Sequence, residues 1–382
     1  MSVNARLLVS AAAMTAALAG SAQGAFFTGG SLVILEAQGT YATGTSGPIN
    51  SLASSVSLRE FAPGWGLTGV QANMPSTGGG SKLTIAGSAT SEGQLSLSFD
   101  GTQLVCAGYN AVFGQSGPNA GSSIATSTTA NVNRAVGSVN VMSGVATVNL
   151  ITDAYSTNNM RSAATITGAT YLMTGSNGGL RSVTPPATTT TLLNTNTTNL
   201  RVVNYFDRNG DNTPEVYVSA SSGSFQGVGI LNTSTNTIDL LPGFPTAAGP
   251  SPYDFQFAGA NVLYVADDRS AAAGGLQRWD FDGTNWILSY TINAGLPAGS
   301  QGIRSLTMDD TGRLWAITAS TSAGSPTSLV TIVDTGAGSS FVPVATGASG
   351  TVWRGVQWLV PAPGSGVLLG LAALGAARRR RS

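Results

Sequence analysis

The 382-residue chain has 17 basic and 17 acidic residues, 42% apolar residues and 9% charged ones. That apolar share, set in short runs, argues against disorder and supplies a large core. The chain has no histidine and one cysteine, which removes Ser-His-Asp and Cys-His mechanisms, the usual zinc sites and any intramolecular disulfide framework.

At the N-terminus, Arg6 precedes an apolar run from Leu7 to Ala19, followed by Ser21-Ala22-Gln23-Gly24-Ala25. A positive residue, an apolar stretch and small residues at this spacing predict a signal peptide over 1–24, cut by signal peptidase after Gly24. Setting aside Arg6 and the four arginines Arg378 to Arg381 leaves 17 − 5 = 12 basic residues against 17 acidic ones. The exported domain, 25–358, is therefore acidic and carries a single lysine, Lys82. This balance speaks against nucleic acid or an anionic membrane surface as partner.

Between the ends, helical periodicity is missing and strand-like runs recur. They include Leu32-Val33-Ile34-Leu35, Lys82-Leu83-Thr84-Ile85, Leu95-Ser96-Leu97-Ser98-Phe99 and Gln103-Leu104-Val105-Cys106. Further along come Glu215-Val216-Tyr217-Val218, Val262-Leu263-Tyr264-Val265, Trp286-Ile287-Leu288-Ser289-Tyr290 and Leu329-Val330-Thr331-Ile332-Val333. Each is short and bounded by turn residues. Cys106 reads as a small apolar strand residue.

The turns repeat in kind. Asp100-Gly101, Asp282-Gly283 and Asp309-Asp310-Thr311-Gly312 each precede a strand, and Asp-Gly supplies the positive φ a tight hairpin needs. A strand, an Asp-Gly turn and an apolar second strand are the pattern of β-propeller blades. At roughly 40–50 residues per blade the domain accommodates about seven four-stranded blades. A strand at Leu32–Leu35 and another at Val352–Trp358 would close the ring within one blade. The alternative architecture is a β-helix or solenoid. Thr188 to Thr198, rich in Thr and Asn, reads as an outer strand with exposed hydroxyls or a loop.

Chemistry is sparse. There is no nucleophile elbow and no phosphate-binding loop. Asp267-Asp268 and Asp309-Asp310 are adjacent carboxylates, but strand neighbours point to opposite faces, so they read as turn and blade-edge residues. The strongest ligand-like stretch is Asp207-Arg208-Asn209-Gly210-Asp211-Asn212-Thr213-Pro214-Glu215. Oxygen donors at Asp207, Asn209, Asp211 and Glu215, with a glycine between, have the spacing of a calcium loop. The same stretch also reads as a polar hairpin turning on Asn209-Gly210.

The C-terminus carries Val360-Pro361-Ala362-Pro363-Gly364, an apolar run from Val367 to Ala377, and then Arg378, Arg379, Arg380 and Arg381. The run is shorter than the roughly 20 residues of a bilayer-spanning helix, and the arginine block follows positive-inside logic. This order resembles the PEP-CTERM sorting tails in their Val-Pro-x-Pro variant, with Ala362 where glutamate is usual. The resemblance implies a tail over 359–382, transient membrane anchoring, and recognition and removal by an exosortase-type membrane protease.

The domain as a whole is similar to exported β-propeller-like proteins that end in such tails. The likeness is carried by Val56-Ser57-Leu58-Arg59-Glu60-Phe61, Asn159-Met160-Arg161-Ser162-Ala163, Leu241-Pro242-Gly243-Phe244-Pro245, Leu263-Tyr264-Val265-Ala266-Asp267-Asp268-Arg269 and Trp353-Arg354-Gly355-Val356. It implies architecture and localisation and carries no activity. The expectation is a non-enzymatic surface or extracellular-matrix protein that contacts exopolysaccharide or surface proteins. One alternative is a propeller enzyme acting on polysaccharide or lactone through carboxylate or Arg/Tyr chemistry. Another is a calcium-dependent adhesion module.

Overall fold

The computed structural model describes residues 25–39, 49–62, 64–247, 249–270, 272–320 and 325–360. The expected signal peptide, and the tail from Pro361 through Arg378, Arg379, Arg380 and Arg381, lie outside them. Val360 is described and is exposed.

Short apolar runs broken by turn residues favour antiparallel strands joined by hairpins, and every strand pair found is antiparallel. The first strands are β1 (Leu32–Gln38), β2 (Ala53–Ala62), β3 (Gly66–Asn73), β4 (Thr84–Ala86), β5 (Leu95–Leu97), β6 (Gln103–Tyr109), β7 (Arg134–Asn140) and β8 (Ala146–Ile151). Then come β9 (Met160–Thr165), β10 (Tyr171–Gly175), β11 (Arg181–Val183) and β12 (Thr191–Leu192). Next are β13 (Val203–Phe206), β14 (Glu215–Ser222), β15 (Phe225–Asn232) and β16 (Thr237–Leu240). Strands β17 (Pro252–Phe257), β18 (Val262–Asp267), β19 (Gly275–Phe281) and β20 (Trp286–Ile292) follow. The last are β21 (Ile303–Met308), β22 (Leu314–Thr318), β23 (Ser328–Ile332), β24 (Val342–Thr346) and β25 (Thr351–Trp358). The described helical structure is one 3-10 turn, Ile124–Thr126.

The architecture is all-β in a propeller arrangement. Strands β9–β12, β13–β16, β17–β20 and β21–β24 make four separate four-stranded meanders. The other nine strands form one sheet, in which β25-β1-β2-β3 and β5-β6-β7-β8 are joined through β4. The count of about seven blades is not confirmed by this pairing. Exclusively antiparallel pairing also departs from the β-helix alternative. The Asp-Gly turns lie where expected: Gly101, Gly283 and Gly312 all have positive φ between paired strands. The Thr- and Asn-rich stretch supplies β12, the exposed outer strand of its blade.

The core lies between sheets. Tyr217, Phe244, Phe255 and Trp279 pack the β13–β16 sheet onto the β17–β20 sheet. Tyr264, Leu276, Leu306 and Leu314 pack β17–β20 onto β21–β24. Trp315, Leu329, Ile34 and Trp353 pack β21–β24 onto the β25–β1 pair, so the last four-stranded sheet meets the first strand of the chain. Cys106 is fully enclosed in the cluster between β1–β2 and β5–β8, and burial pushes its thiol up to about 12.

Hydrogen bonds close a circuit through β5, β9, the paired strands β13 and β14, β17, β21 and β25. Ser96 Oγ donates to Ala163 O (2.6 Å), and Val203 N donates to Ser162 Oγ (3.3 Å). Ser219 Oγ donates to Tyr253 O, and Leu306 N donates to Asp254 Oδ2 (2.8 Å). Val356 N donates to Ser305 Oγ (3.1 Å), and Gln357 Nε2 donates to Leu95 O (2.9 Å), returning to β5. The terminal strands meet as the sequence predicts: β1 lies between β2 and β25, and Gly30 N donates to Leu359 O at 2.8 Å.

Leu32, Val33, Ile34 and Leu35 are wholly buried, and each such side chain is worth ~1.5–3 kcal/mol. Deleting Ser31 to Ala37 is therefore expected to lower the melting temperature of the whole domain in one transition. A deletion variant that melts like the parent, followed by circular dichroism, would contradict ring closure. Asp254 gives a second test. Burial raises its carboxyl to about 7, against hydrogen bonds from Leu306, Phe255, Ser305 and Gln94 that favour the anion. A folded value above the unfolded ~3.9 means the stability it contributes is whole below that pH and is lost as pH rises through about 7. Asp254→Asn is expected to raise the melting temperature near pH 8, by on the order of 2–4 kcal/mol of stability, and to change little near pH 4. Melting curves for parent and variant that stay parallel across that range would contradict it.

Candidate functional site

The inner strands share a local irregularity. In β9, Ser162 pairs Thr174 and Met160 pairs Gly175, leaving Arg161 as an extra residue. In β21, Ile303 pairs Thr318 and Ser305 pairs Ile317, which leaves Arg304 extra. In β25, Trp353 pairs Glu36 and Gly355 pairs Leu35, which leaves Arg354 extra. In β17 the register slips between Pro252 and Phe255, around Tyr253 and Asp254. A β-bulge turns one side chain out of the alternating pattern. Three different sheets use it to release an arginine, and a fourth uses it at a tyrosine.

These side chains meet. Arg201, just before β13, and Arg304 lie over the Tyr253 ring, their guanidinium carbons 4.9 and 5.3 Å from its centroid. Both hold Asp268: Arg304 donates twice to Oδ2 at 3.0 and 2.8 Å, and Arg201 approaches Oδ1 at 3.4 Å. Burial opposes ionisation of Asp268, but Arg304 and Arg201 overcome it and hold the carboxyl below its usual range. Arg161 donates to Asn199 Oδ1 and to Leu200 O.

The segment between β4 and β5, residues 87–94, lies against this cluster. Arg354 Nη2 donates to Gly87 O at 3.0 Å, Arg304 Nη1 to Thr90 O at 2.7 Å, and the Tyr253 hydroxyl to Ser91 O. Gly93 has φ +83°, and a Cβ there would stand 2.8 Å from Arg354 Cβ, so glycine permits the approach. Glu92 is buried and accepts from Ala86 N, Asn159 Nδ2 and the Tyr109 hydroxyl. Burial raises its carboxyl above the ordinary value despite those donors and nearby Arg354.

Arg354 is 5% exposed, and its Nε has no acceptor; Arg161 Nε is likewise buried without one. Burial, reinforced by Arg304, lowers the Arg354 guanidinium to about 10. Burial also lowers that of Arg161. The arrangement is a set of four guanidiniums around one tyrosine, with Asp268 and Glu92 as its carboxylates.

The expected calcium residues lie elsewhere, on the hairpin between β13 and β14. Among the described residues no three His, Cys, Asp or Glu side chains come together as a metal cage. The oxygens of Asp207 and Asp211 serve the turn. Asp207 accepts from the backbone N–H of Gly210, Asp211 and Asn212, and Asp211 accepts from that of Thr213. Glu215 Oε2 accepts from the Tyr217 hydroxyl at 2.6 Å. Arg208 ties this hairpin to the next sheet, lying over Phe281 and Trp286 at 4.7 and 4.9 Å.

Adjacent carboxylates do point apart. Asp267 binds Arg269 and Gln277 while Asp268 binds Arg201 and Arg304. Asp309 closes its turn on Thr311 and Arg313 while Asp310 is exposed. Asp268, read from sequence as a blade-edge residue, instead belongs to the arginine cluster. The cluster itself escapes a reading by motif. A signal was present in four triplets of one kind: Met160-Arg161-Ser162, Leu200-Arg201-Val202, Ile303-Arg304-Ser305 and Trp353-Arg354-Gly355.

No protein-family model matches the chain, and no curated protein matches it. Solved structures of similar shape include TolB from Acinetobacter baumannii, at TM-score 0.46 and 10% identity over 85% of this chain and 67% of that one. A candidate 6-phosphogluconolactonase from Bacteroides uniformis gives 0.44 and 12% over 82% of each chain. The extracellular domain of a hybrid two-component system from B. thetaiotaomicron gives 0.41 and 9%, over 81% of this chain and 34% of that one. Likeness at this level carries no argument about activity, and the fold rests on the strand pairing.

Proposed function

We propose that the chain is an exported, non-enzymatic binding or structural propeller of the bacterial cell surface. In this reading the nine-stranded sheet counts as two blades and the ring has six. The Val360-Pro361-Ala362-Pro363 tail with its arginine block directs it to an exosortase-type protease, and exopolysaccharide or surface proteins are its partners. The observation that carries the non-enzymatic reading is the use made of the buried carboxylates. Glu92, Asp254, Asp267 and Asp334 each accept two or more hydrogen bonds from the fold itself. A general acid or base needs a proton path to a reacting group, and these groups are committed to holding strands and sheets together. Export is supported by the sequence at both ends.

Processing gives the test. Mass spectrometry of the envelope and culture fractions is expected to find a species that begins near Ala25 and lacks Arg378 to Arg381. An exported species that retains both Met1 and Arg381 would overturn the proposal.

A further inference from the structure

Arginine is the side chain least able to lose its charge, and burying a guanidinium without a counter-ion is costly. Where such groups are found together, either internal carboxylates or a bound anion must balance them. Bulges in β9, β21 and β25 release Arg161, Arg304 and Arg354, and Arg201, just before β13, joins Arg304 over the Tyr253 ring. One carboxylate, Asp268, is shared by Arg201 and Arg304. The other, Glu92, spends its oxygens on Ala86, Asn159 and Tyr109. Among the described residues, none gives Arg354 or Arg161 a carboxylate oxygen, and each keeps a buried Nε without an acceptor.

We propose that this cluster is a binding site for an oxyanion, with Arg354 and Arg161 as the guanidiniums that receive it. Asp268 shows an anionic oxygen held within the fold: Arg304 Nε and Nη2 both donate to its Oδ2, at 3.0 and 2.8 Å, and such charge-assisted hydrogen bonds are what arginine offers carboxylates and phosphates. The bulges are the built part of the site, since without them strand alternation would turn these arginines into the packed faces between sheets. The backbone carbonyls of Gly87 and Thr90 accept from Arg354 and Arg304, so the segment 87–94 forms one wall. The inference stands apart from export and from the sorting tail.

The shared chemistry is a compact group with two or more anionic oxygens, supplied by a uronic acid carboxylate, a phosphate or a sulfate. The test is calorimetric titration of the purified protein with D-galacturonate, inorganic phosphate and sulfate, each against chloride at equal ionic strength, with D-galactose as the uncharged control. Saturable binding of at least one oxyanion at one site per chain is expected, and none of galactose. Arg354→Gln is expected to weaken it about tenfold, the worth of a charge-assisted hydrogen bond. Arg161→Gln, on another sheet, decides the matter if Arg354→Gln does not fold, and is expected to weaken binding several-fold; Lys82→Gln should leave it unchanged. The strongest of the three anions identifies the source. No saturable binding of any of them at tens of millimolar, or binding undiminished in a folded arginine variant, would overturn the proposal.

Discussion

The pairing of β1 with β25 is the constraint on which the rest of the ring depends. An open row of sheets would leave unpaired N–H and C=O groups along its first and last strands, an aggregation liability. Here β1 is satisfied on both sides, by β2 and by β25. Closure also supplies a partner face for the last sheet, whose Trp315 and Leu329 bury against Ile34 and Trp353. Sheets far apart in sequence thus share one cooperative unit, and the circuit through Ser96, Ser162, Ser219, Ser305 and Gln357 ties their inner strands at short range. Small hydroxyl residues suit that position because they both pack closely and satisfy a neighbouring strand's backbone.

Closure and the candidate site compete for the same strand. Strand β25 must present Trp353 and Val356 to one sheet and Val352 to the other, which fixes its alternation. A bulge at Arg354 takes one residue out of that pattern, and the pairing of β25 with β1 resumes one register on beyond it. The same solution appears at Arg161 and Arg304. Repetition across three sheets is hard to ascribe to local accident, since each bulge removes a regular pairing and releases the same residue type.

Much of the architecture was legible because it rests on local chemistry. Asp-Gly at 100–101 and 282–283 needs positive φ at glycine and gave a hairpin each time. Apolar runs such as Leu314-Trp315-Ala316-Ile317 could be buried only as interior strands, and this one is β22, second in its sheet. Blade number was not legible, because β4 joins two four-stranded arrays through short pairings that no composition signal marks. The Asp207 loop shows why two readings of one spacing coexist: acceptors spaced to wrap a cation are also spaced to cap successive backbone N–H groups, and Asp207 caps three of them. The arginine cluster was hidden because its members are about 40 or more residues apart and each, alone, reads as an ordinary polar strand start.

Charge distribution gives the site its context. Outside the two termini the chain holds 12 basic and 17 acidic residues. Four of the basic ones and two of the acidic ones, Glu92 and Asp268, belong to the cluster, which leaves 12 − 4 = 8 against 17 − 2 = 15 elsewhere. The rest of the domain therefore carries an excess of about seven negative charges, while the cluster carries an excess of two positive ones even with both carboxylates ionised. A uniform basic surface would attract polyanions everywhere. This arrangement repels them over most of the molecule and offers attraction within roughly a Debye length of the arginines. Binding through such a site selects for an anionic group that can be presented end-on, at a chain terminus or on a flexible side branch, over one held within a uniformly charged strand.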